Sequence, residues 1–366
     1  MTRVLHVHEH PADFQTTRSL QQLQRSLPPD FDIHTHAIGN GSPASSHSRH
    51  AILAPLDLRR RADSFDIAHA WGLPALSAAA FAPFKRLLFT PTVYPSRRHI
   101  RWLRAIMNYR GVNVVCSTTT LHKAFVQHGV PVDRCHLIRP GVDFARIKTR
   151  RDVALRAALG IQPHHRVLLG VGESTRAADH HQLTWTGTIL NVLDRQTRVL
   201  LWGRGPLATS AARFSASLAQ PELLILAEQT LGRPLDFEDL FPAADLVAVS
   251  ATAPVPTLPI AIAMASAVPI IATVTPTVAE LLEDRHTALM TQPNVPRLLA
   301  QRILQMRDDP QQQRTLADTA RAEAYEFFPQ SEFVNHHRTL YNQLTAQPDG
   351  VAPVAHTAHP PHAHLI

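Results

Sequence analysis

Cysteine is nearly absent. Cys116 and Cys135 are the only two in 366 residues, and they form neither a CxxC pair nor a ligand cluster. That excludes a disulfide framework and leaves both as small core residues of a reducing compartment. Long apolar runs are missing too. A membrane-spanning helix needs roughly 20 unbroken apolar residues. One stretch, SATAPVPTLPIAIAMASAVPIIAT at 250–273, carries no charged side chain, yet Pro254, Pro256, Pro259 and Pro269 break it. It divides better into a loop (SATAPVPT), a short helix (LPIAIAMASA) and a buried strand (VPIIAT). Pro259 suits the first turn of that helix, with Thr257 as its cap. The opening MTRVLHVHEH holds no apolar segment of signal-peptide length, so a cytoplasmic protein is expected. Charged residues make up only 18%, but a hydrophobic content of 45% excludes a disordered chain.

The charge that is present is mostly arginine, and the net charge is +7. This points to an anionic partner such as a nucleotide, a phospholipid surface or a nucleic acid. The plainer reading is a genome whose codon usage favours Arg, Ala, His and Pro. No platform of interleaved aromatic and basic residues is visible, so nucleic acid is not expected as a partner.

Along the chain, strand, loop and helix alternate. TRVLHVH, FDIHTHA, FDIAHAW, RLLFTPT and NVVCS read as strands of a first sheet, with the polar loop NGSPASSHSRH between the second and third. The pattern restarts with RVLLGVGES, RVLLWGRGP, ELLILAE, DLVAVS and VPIIATV. Such alternation implies parallel sheets covered by helices on both faces, hence an α/β chain of two doubly wound domains. The boundary falls near RPGVDFARIKTRRD. From Pro296 to about Ala346 the pattern is helical and charged, and the tail QPDGVAPVAHTAHPPHAHLI has the composition of a disordered segment.

These residues resemble the GT-B glycosyltransferases of the large retaining group that use nucleotide-sugar donors (family 4-like). CSTTTLHKAFVQHGVPVDRCHLIRPGVDFARI is similar to that family's interdomain segment. GVG at 170–172, GRGP at 203–206, the aspartate in PAADLVAVS, AMASAVPIIAT and VAELLEDRHTALM follow in the family's order. The resemblance covers about 330 residues, more than any single short motif mimics. It implies two Rossmann-like domains facing across a cleft: an acceptor domain at 1–147, a nucleotide-sugar domain at 148–325, a helix at 326–346 crossing back to the first domain, and a tail at 347–366. It implies hexosyl transfer from a nucleotide diphosphate-sugar to a glycan or lipid-linked acceptor. No cofactor and no metal are expected. In the family, an Arg and a Lys after the first strand of the second domain neutralise the diphosphate, helped by backbone N–H groups at a helix N-terminus. Two glutamates eight positions apart hold the sugar and ribose hydroxyls.

The chain departs from that pattern at each of these points. The glutamates align with Pro254 and Ile262, which offer no side-chain hydrogen bond. The arginine falls at Glu173, which would repel a diphosphate, and the lysine near Ala178. Arg176, two positions from the lysine, is a candidate substitute, against the plainer reading of a solvated loop arginine. The first loop, HEHPADFQTT, lacks the family's glycines. The family's histidine facing the sugar aligns near Thr92. His69 in DIAHAW is the surviving histidine, with a structural role as the plainer reading.

Gly172, Gly203, Arg204, Gly205, Ser250 and Thr257 remain as donor-side candidates, although GxG turns also serve simply to turn a chain tightly. His8, His10, His69 and Thr92 are the acceptor-side candidates. His6, His8 and His10 alternate on one strand and share a face at the expected cleft mouth. His180, His181 and the tail histidines lack metal-site spacing. RRHIRWLRAIMNYR places Arg97, Arg101 and Arg104 on one helical face, with Trp102, Ile106 and Tyr109 on another. Such a helix suits peripheral contact with an anionic inner-membrane face, against an ordinary amphipathic helix on the sheet. Two functional readings follow: a glycosyltransferase with a diverged donor site, and a non-catalytic relative acting as partner or regulator of an active transferase.

Overall fold

A computed structural model describes residues 1–39 and 54–346. The loop read between the second and third strands and the Pro/His-rich tail lie outside the described residues. The chain divides into two compact units. One comprises Met1–Gly141 with the helix Gln330–Ala346, and the other Val142–Pro329.

In the first unit the strands are β1 (Thr2–Glu9), β2 (Phe31–Ile38), β3 (Ile67–Trp71), β4 (Arg86–Thr90), β5 (Val112–Cys116) and β6 (Cys135–Leu137). They pair in parallel in the order β2-β1-β3-β4-β5-β6. Helices α1 (Phe14–Ser26), α2 (Ala54–Arg61), α3 (Leu73–Ala80), α4 (Arg97–Tyr109) and α5 (Thr119–Gln127) connect them. Side-chain caps set several of the helix starts. Asp13 accepts from Thr16 N at 2.9 Å, and Ser96 and His99 form a capping box on α4. Both faces of the sheet are covered, which is why its strands read as near-continuous apolar runs. Leu5, Val7, Ala68 and Phe89 fill one core layer; Val4, Ile67, Leu88 and Val115 fill the other.

The second unit repeats the design with β7 (Arg166–Gly170), β8 (Thr197–Leu201), β9 (Leu224–Leu226), β10 (Leu246–Val249), β11 (Ile270–Thr273) and β12 (Leu289–Thr291). The order is β12-β11-β10-β7-β8-β9, again parallel. Its helices are α6 (Val153–Ala158), α7 (His180–Asn191), α8 (Ala208–Ser217), α9 (Ala227–Leu231), α10 (Leu258–Ala265), α11 (Val278–Leu281), α12 (Pro296–Asp308) and α13 (Pro310–Phe327). Helix α14 (Gln330–Ala346) packs on the first unit, where Phe333, Leu340, Tyr341 and Leu344 join the layer of Val4 and Ile67.

Both sheets are doubly wound, as the alternation implies. β6 and β12, three residues each, are absent from the sequence reading, whereas the equally short β9 was read within ELLILAE. Each sheet reverses its strand order once, between β1 and β3 in the first unit and between β7 and β10 in the second. In open parallel sheets, ligands bind outside the carboxyl ends of the strands at such switch points. That rule selects the loops after β7 and β10, and those after β1 and β3.

Candidate functional site

In the second unit, three loops meet at the carboxyl edge of the sheet: 171–179 after β7, 202–207 after β8 and 250–257 after β10. Two glycines permit their close approach. A Cβ on Gly205, at φ 98°, would lie 2.6 Å from Ser174 N, and one on Gly172, at φ 76°, would touch Pro259 at 3.4 Å. The first two loops are then tied by backbone hydrogen bonds from Ser174 N to Arg204 O (2.8 Å) and from Leu207 N to Ser174 O (2.9 Å). The first and third are tied by Thr252 N to Ala177 O (2.9 Å) and by the Ser250 hydroxyl, which donates to Ala178 O at 2.7 Å.

Ser174 and His180 form a buried pair at the centre of this arrangement. His180 Nε2 lies 3.3 Å from Val171 O, which can only accept, so Nε2 carries the proton. Nδ1 is therefore the acceptor, and the Ser174 hydroxyl donates to it at 2.8 Å. Burial lowers the His180 pKa to about 4, against the opposing effect of its bond to Val171. Neutral His180 thus latches the loop to the start of α7. Sequence reasoning dismissed His180 for want of metal-site spacing. The available signal was a serine just after a glycine turn, six residues before a histidine.

The candidate donor residues separate into spent and available groups. Arg204 is spent: its Nε and Nη2 donate to Glu228 Oε1 at 2.9 and 2.7 Å, and its guanidinium lies 4.4 Å from the centre of the Trp202 ring. Gly203 faces Gln229, whose amide donates to Gly203 O at 2.9 Å. Ser250 is spent on Ala178, and Ala178 itself is buried. Ile262 is buried inside α10, every residue of which is buried, while Pro254 is half-buried and Pro256 exposed. Glu173 is half-buried. Arg176 is exposed and engages no carboxylate among the described residues. Thr257 corrects an expectation. It occupies the cap position of α10, but with helical φ −86° and ψ −28°, and its side chain makes no cap bond. Its hydroxyl is buried without a hydrogen-bond partner, and Pro259 sits in the first turn as read.

In the first unit the acceptor-side candidates disperse. His69 belongs to the core: it is fully buried, with Nδ1 2.8 Å from the Tyr341 hydroxyl and Nε2 2.7 Å from Thr90 Oγ1, and it stacks on Trp71. His6 is a second correction. It faces His69 across the β1–β3 ladder, is fully buried, and accepts from Trp71 Nε1 at 2.9 Å. A strand covered on both faces buries its polar positions as well, so His6 is no mouth residue. His8 is half-buried and donates from Nδ1 to Glu9 O at 2.8 Å, and His10 is exposed beyond the strand end. Thr92 does reach the switch point. A Cβ on Gly72 would meet Thr92 Oγ1 at 3.1 Å and Glu9 Oε2 at 3.7 Å. Glu9 was missed, although a carboxylate at the end of the first strand marks this edge. Burial, then the nearby Asp13, raises its pKa.

Helix α4 keeps Arg97, Arg101 and Arg104 exposed, as read. Its buried stripe is Ile100, Leu103, Ile106 and Met107, so Ile106 leaves the face assigned to it and Trp102 and Tyr109 stay exposed. Among the described residues, no cluster of three His, Cys, Asp or Glu side chains could hold a metal ion, and no helix is long and apolar enough to cross a membrane.

Comparisons with known proteins agree with this architecture. Residues 165–309 match the family model described as glycosyl transferases group 1. None of the curated proteins matches the chain by sequence. Among solved structures, HepE of Anabaena, in complex with UDP and glucose, superposes with a TM-score of 0.78 at 18% identity, covering 93% of this chain and 100% of that one. Sucrose-phosphate synthase from Thermosynechococcus elongatus gives 0.76 at 16% identity, covering 94% and 100%. A glycosyltransferase from Rickettsia africae gives 0.74 at 15%, covering 95% and 99%. The fold is therefore GT-B, with two Rossmann-like domains.

Proposed function

We propose that this GT-B chain, with its glycosyl transferases group 1 segment at 165–309, is a glycosyltransferase that takes a nucleotide diphosphate-sugar at the carboxyl edge of β7 and β10. The observation that carries the reading is the Thr257 hydroxyl, buried and without a partner at a helix start that has no side-chain cap. Helix N-termini favour anions, and a buried hydroxyl without a partner costs about 1–3 kcal/mol unless a ligand supplies one. Gly172 brings the backbone after β7 against the same helix start, and Arg176 adds an unengaged guanidinium to that loop. HepE is solved with UDP-glucose, so uridine nucleotides are the first to try.

A glycan or lipid-linked acceptor is proposed for the first unit. The exposed arginines of α4, with exposed Trp102 and Tyr109, support peripheral contact with an anionic membrane surface. A specific observation favours a second reading, of a non-catalytic relative that regulates or partners an active transferase. Ser250 and Arg204 are consumed by internal bonds, and Ile262 and Pro254 offer nothing to a sugar.

The test is calorimetric titration with UDP, GDP, ADP and their sugar conjugates, on the protein and on Thr257→Val. Micromolar binding that weakens in the variant, with sugar release or transfer, supports the first reading. Binding without turnover selects the second. No binding at millimolar concentration overturns the donor site itself.

A further inference from the structure

The opposite edge of the second sheet holds a cavity of about 240 Å³. It lies where β7, β8 and β10 begin, beneath the ends of α7 and α12. Its apolar wall includes Leu168, Leu190, Leu246 and Ile303, all buried members of one core layer. Its polar rim holds Arg166, Thr197, Asp245 and Arg307.

The rim charges are not equivalent. Asp245 is saturated: it accepts from Arg151 Nη1 at 2.9 Å, Arg156 Nη1 at 3.1 Å and Val167 N at 2.8 Å. Arg307 is held by Asp194 at 3.1 Å and Asp308 at 3.3 Å. The Arg166 side chain is exposed and makes no hydrogen bond or ion pair to another described residue. The Thr197 hydroxyl likewise makes no bond to another described residue. The rim therefore offers one guanidinium that no carboxylate engages over an apolar floor, with its only lining carboxylate already neutralised.

We propose that this cavity is a second small-molecule site, for an amphiphilic monocarboxylate. The carboxylate would accept from Arg166 and Thr197 while an aliphatic body lies on Leu168, Leu246 and Ile303. A guanidinium matches a carboxylate in shape as well as charge. The volume is about eight times a water's share of liquid, room for a six- to eight-carbon chain, and it exceeds the ~150 Å³ of an engineered apolar cavity that admits benzene. Five-residue strands separate the site from the candidate donor edge, roughly 16 Å away, so the two ligands would not compete.

The probe is octanoate, titrated calorimetrically into the whole protein, with octanol and acetate as controls. Octanoate is expected to bind, with acetate and octanol each at least tenfold weaker. Arg166→Gln, an exposed substitution that leaves the fold intact, is expected to lower octanoate affinity about tenfold. Leu304 also lines the cavity, and Leu304→Trp, which narrows it, is expected to abolish octanoate binding while leaving any UDP affinity unchanged. No octanoate binding at millimolar concentration overturns the proposal, as does equal affinity for octanoate in Arg166→Gln. Because the readout is octanoate and not nucleotide, its failure is distinct from failure of the donor site.

Discussion

Acidification should unfold the first unit through three histidines that its core keeps neutral. His6, His69 and His337 are at most 1% exposed and gather around Trp71 and Tyr341, with ring centres 5.1 Å apart for His6–His69 and 5.8 Å for His69–His337. His6 Nδ1 is taken by Trp71, and His337 Nδ1 donates to Phe333 O at 2.9 Å. The Nε2 atoms of His6 and His337 are buried without partners, so an added charge would meet an apolar wall. Burial, reinforced by the neighbouring histidines, lowers the pKa of His6 to about 3 and of His337 to about 4, and moves His69 in the same direction. In the unfolded chain each returns to about 6.5. The folded values are depressed, so the unfolded state binds more protons below pH 6.5. The stability contribution is complete above 6.5 and is lost as pH falls towards 4. His6 and His337 then each cost about 1.4 kcal/mol per pH unit, or about 2 kcal/mol between pH 7 and 5. The two together cost about 4 kcal/mol, a large share of the 5–15 kcal/mol typical of a domain, and His69 acts in the same direction. Urea denaturation followed by tryptophan fluorescence at pH 7, 6 and 5 measures the loss. His337→Phe keeps a ring beside Trp71 and should remove about 2 kcal/mol of that loss. An unfolding free energy that is the same at pH 7 and pH 5 would refute the reasoning.

Gly205→Ala should lower stability by roughly 2–4 kcal/mol, because its Cβ would press on the Ser174 backbone at a left-handed φ, whereas Gly160→Ala, with open space around it, should cost only about 1 kcal/mol; thermal unfolding of both variants separates the two effects. Arg204→Ala should change stability by less than about 1 kcal/mol and leave nucleotide affinity unaltered, since its partner Glu228 already occupies it at a half-exposed position. Ile262→Glu buries a charge inside α10 and should destabilise by about 3 kcal/mol or more without creating sugar binding; calorimetry with UDP-glucose checks the second half.

Most of the architecture was legible because parallel strands covered on both faces write themselves as apolar runs. Helix α4 was legible in RRHIRWLRAIMNYR, but the caps at Asp13 and Ser96 that set the starts of α1 and α4 went unread. Thr257 shows the limit: a threonine two residues before a proline has the spelling of a cap, but its backbone is already helical and its hydroxyl makes no cap bond. Alternation placed His6 and His8 on one face without saying how deep each lies, and depth separates a core ring from a rim one. Arg204 between two glycines has the spelling of a phosphate contact. Its fate is decided by Glu228, 24 residues on, and no local pattern reports that partner.

One physical logic governs the carboxyl edge of the second sheet. Polar groups buried where three loops meet must satisfy one another. Here they do: Ser250 bonds Ala178, Ser174 bonds His180 and the Arg204 carbonyl, and Thr277 Oγ1 accepts from Val255 N at 3.3 Å. A surface stitched in this way is stable without ligand, so ligand binding must draw on what the stitching leaves over. Among the described residues, the Thr257 hydroxyl and the Arg176 guanidinium are two such groups on this edge. One is neutral and buried, the other charged and exposed. Charge attraction therefore enters only through Arg176, which salt screens, and the Thr257 bond is indifferent to salt. A diphosphate held here should lose affinity with ionic strength no faster than one surface guanidinium allows. A steeper loss would place the ligand on the arginines of α4 instead.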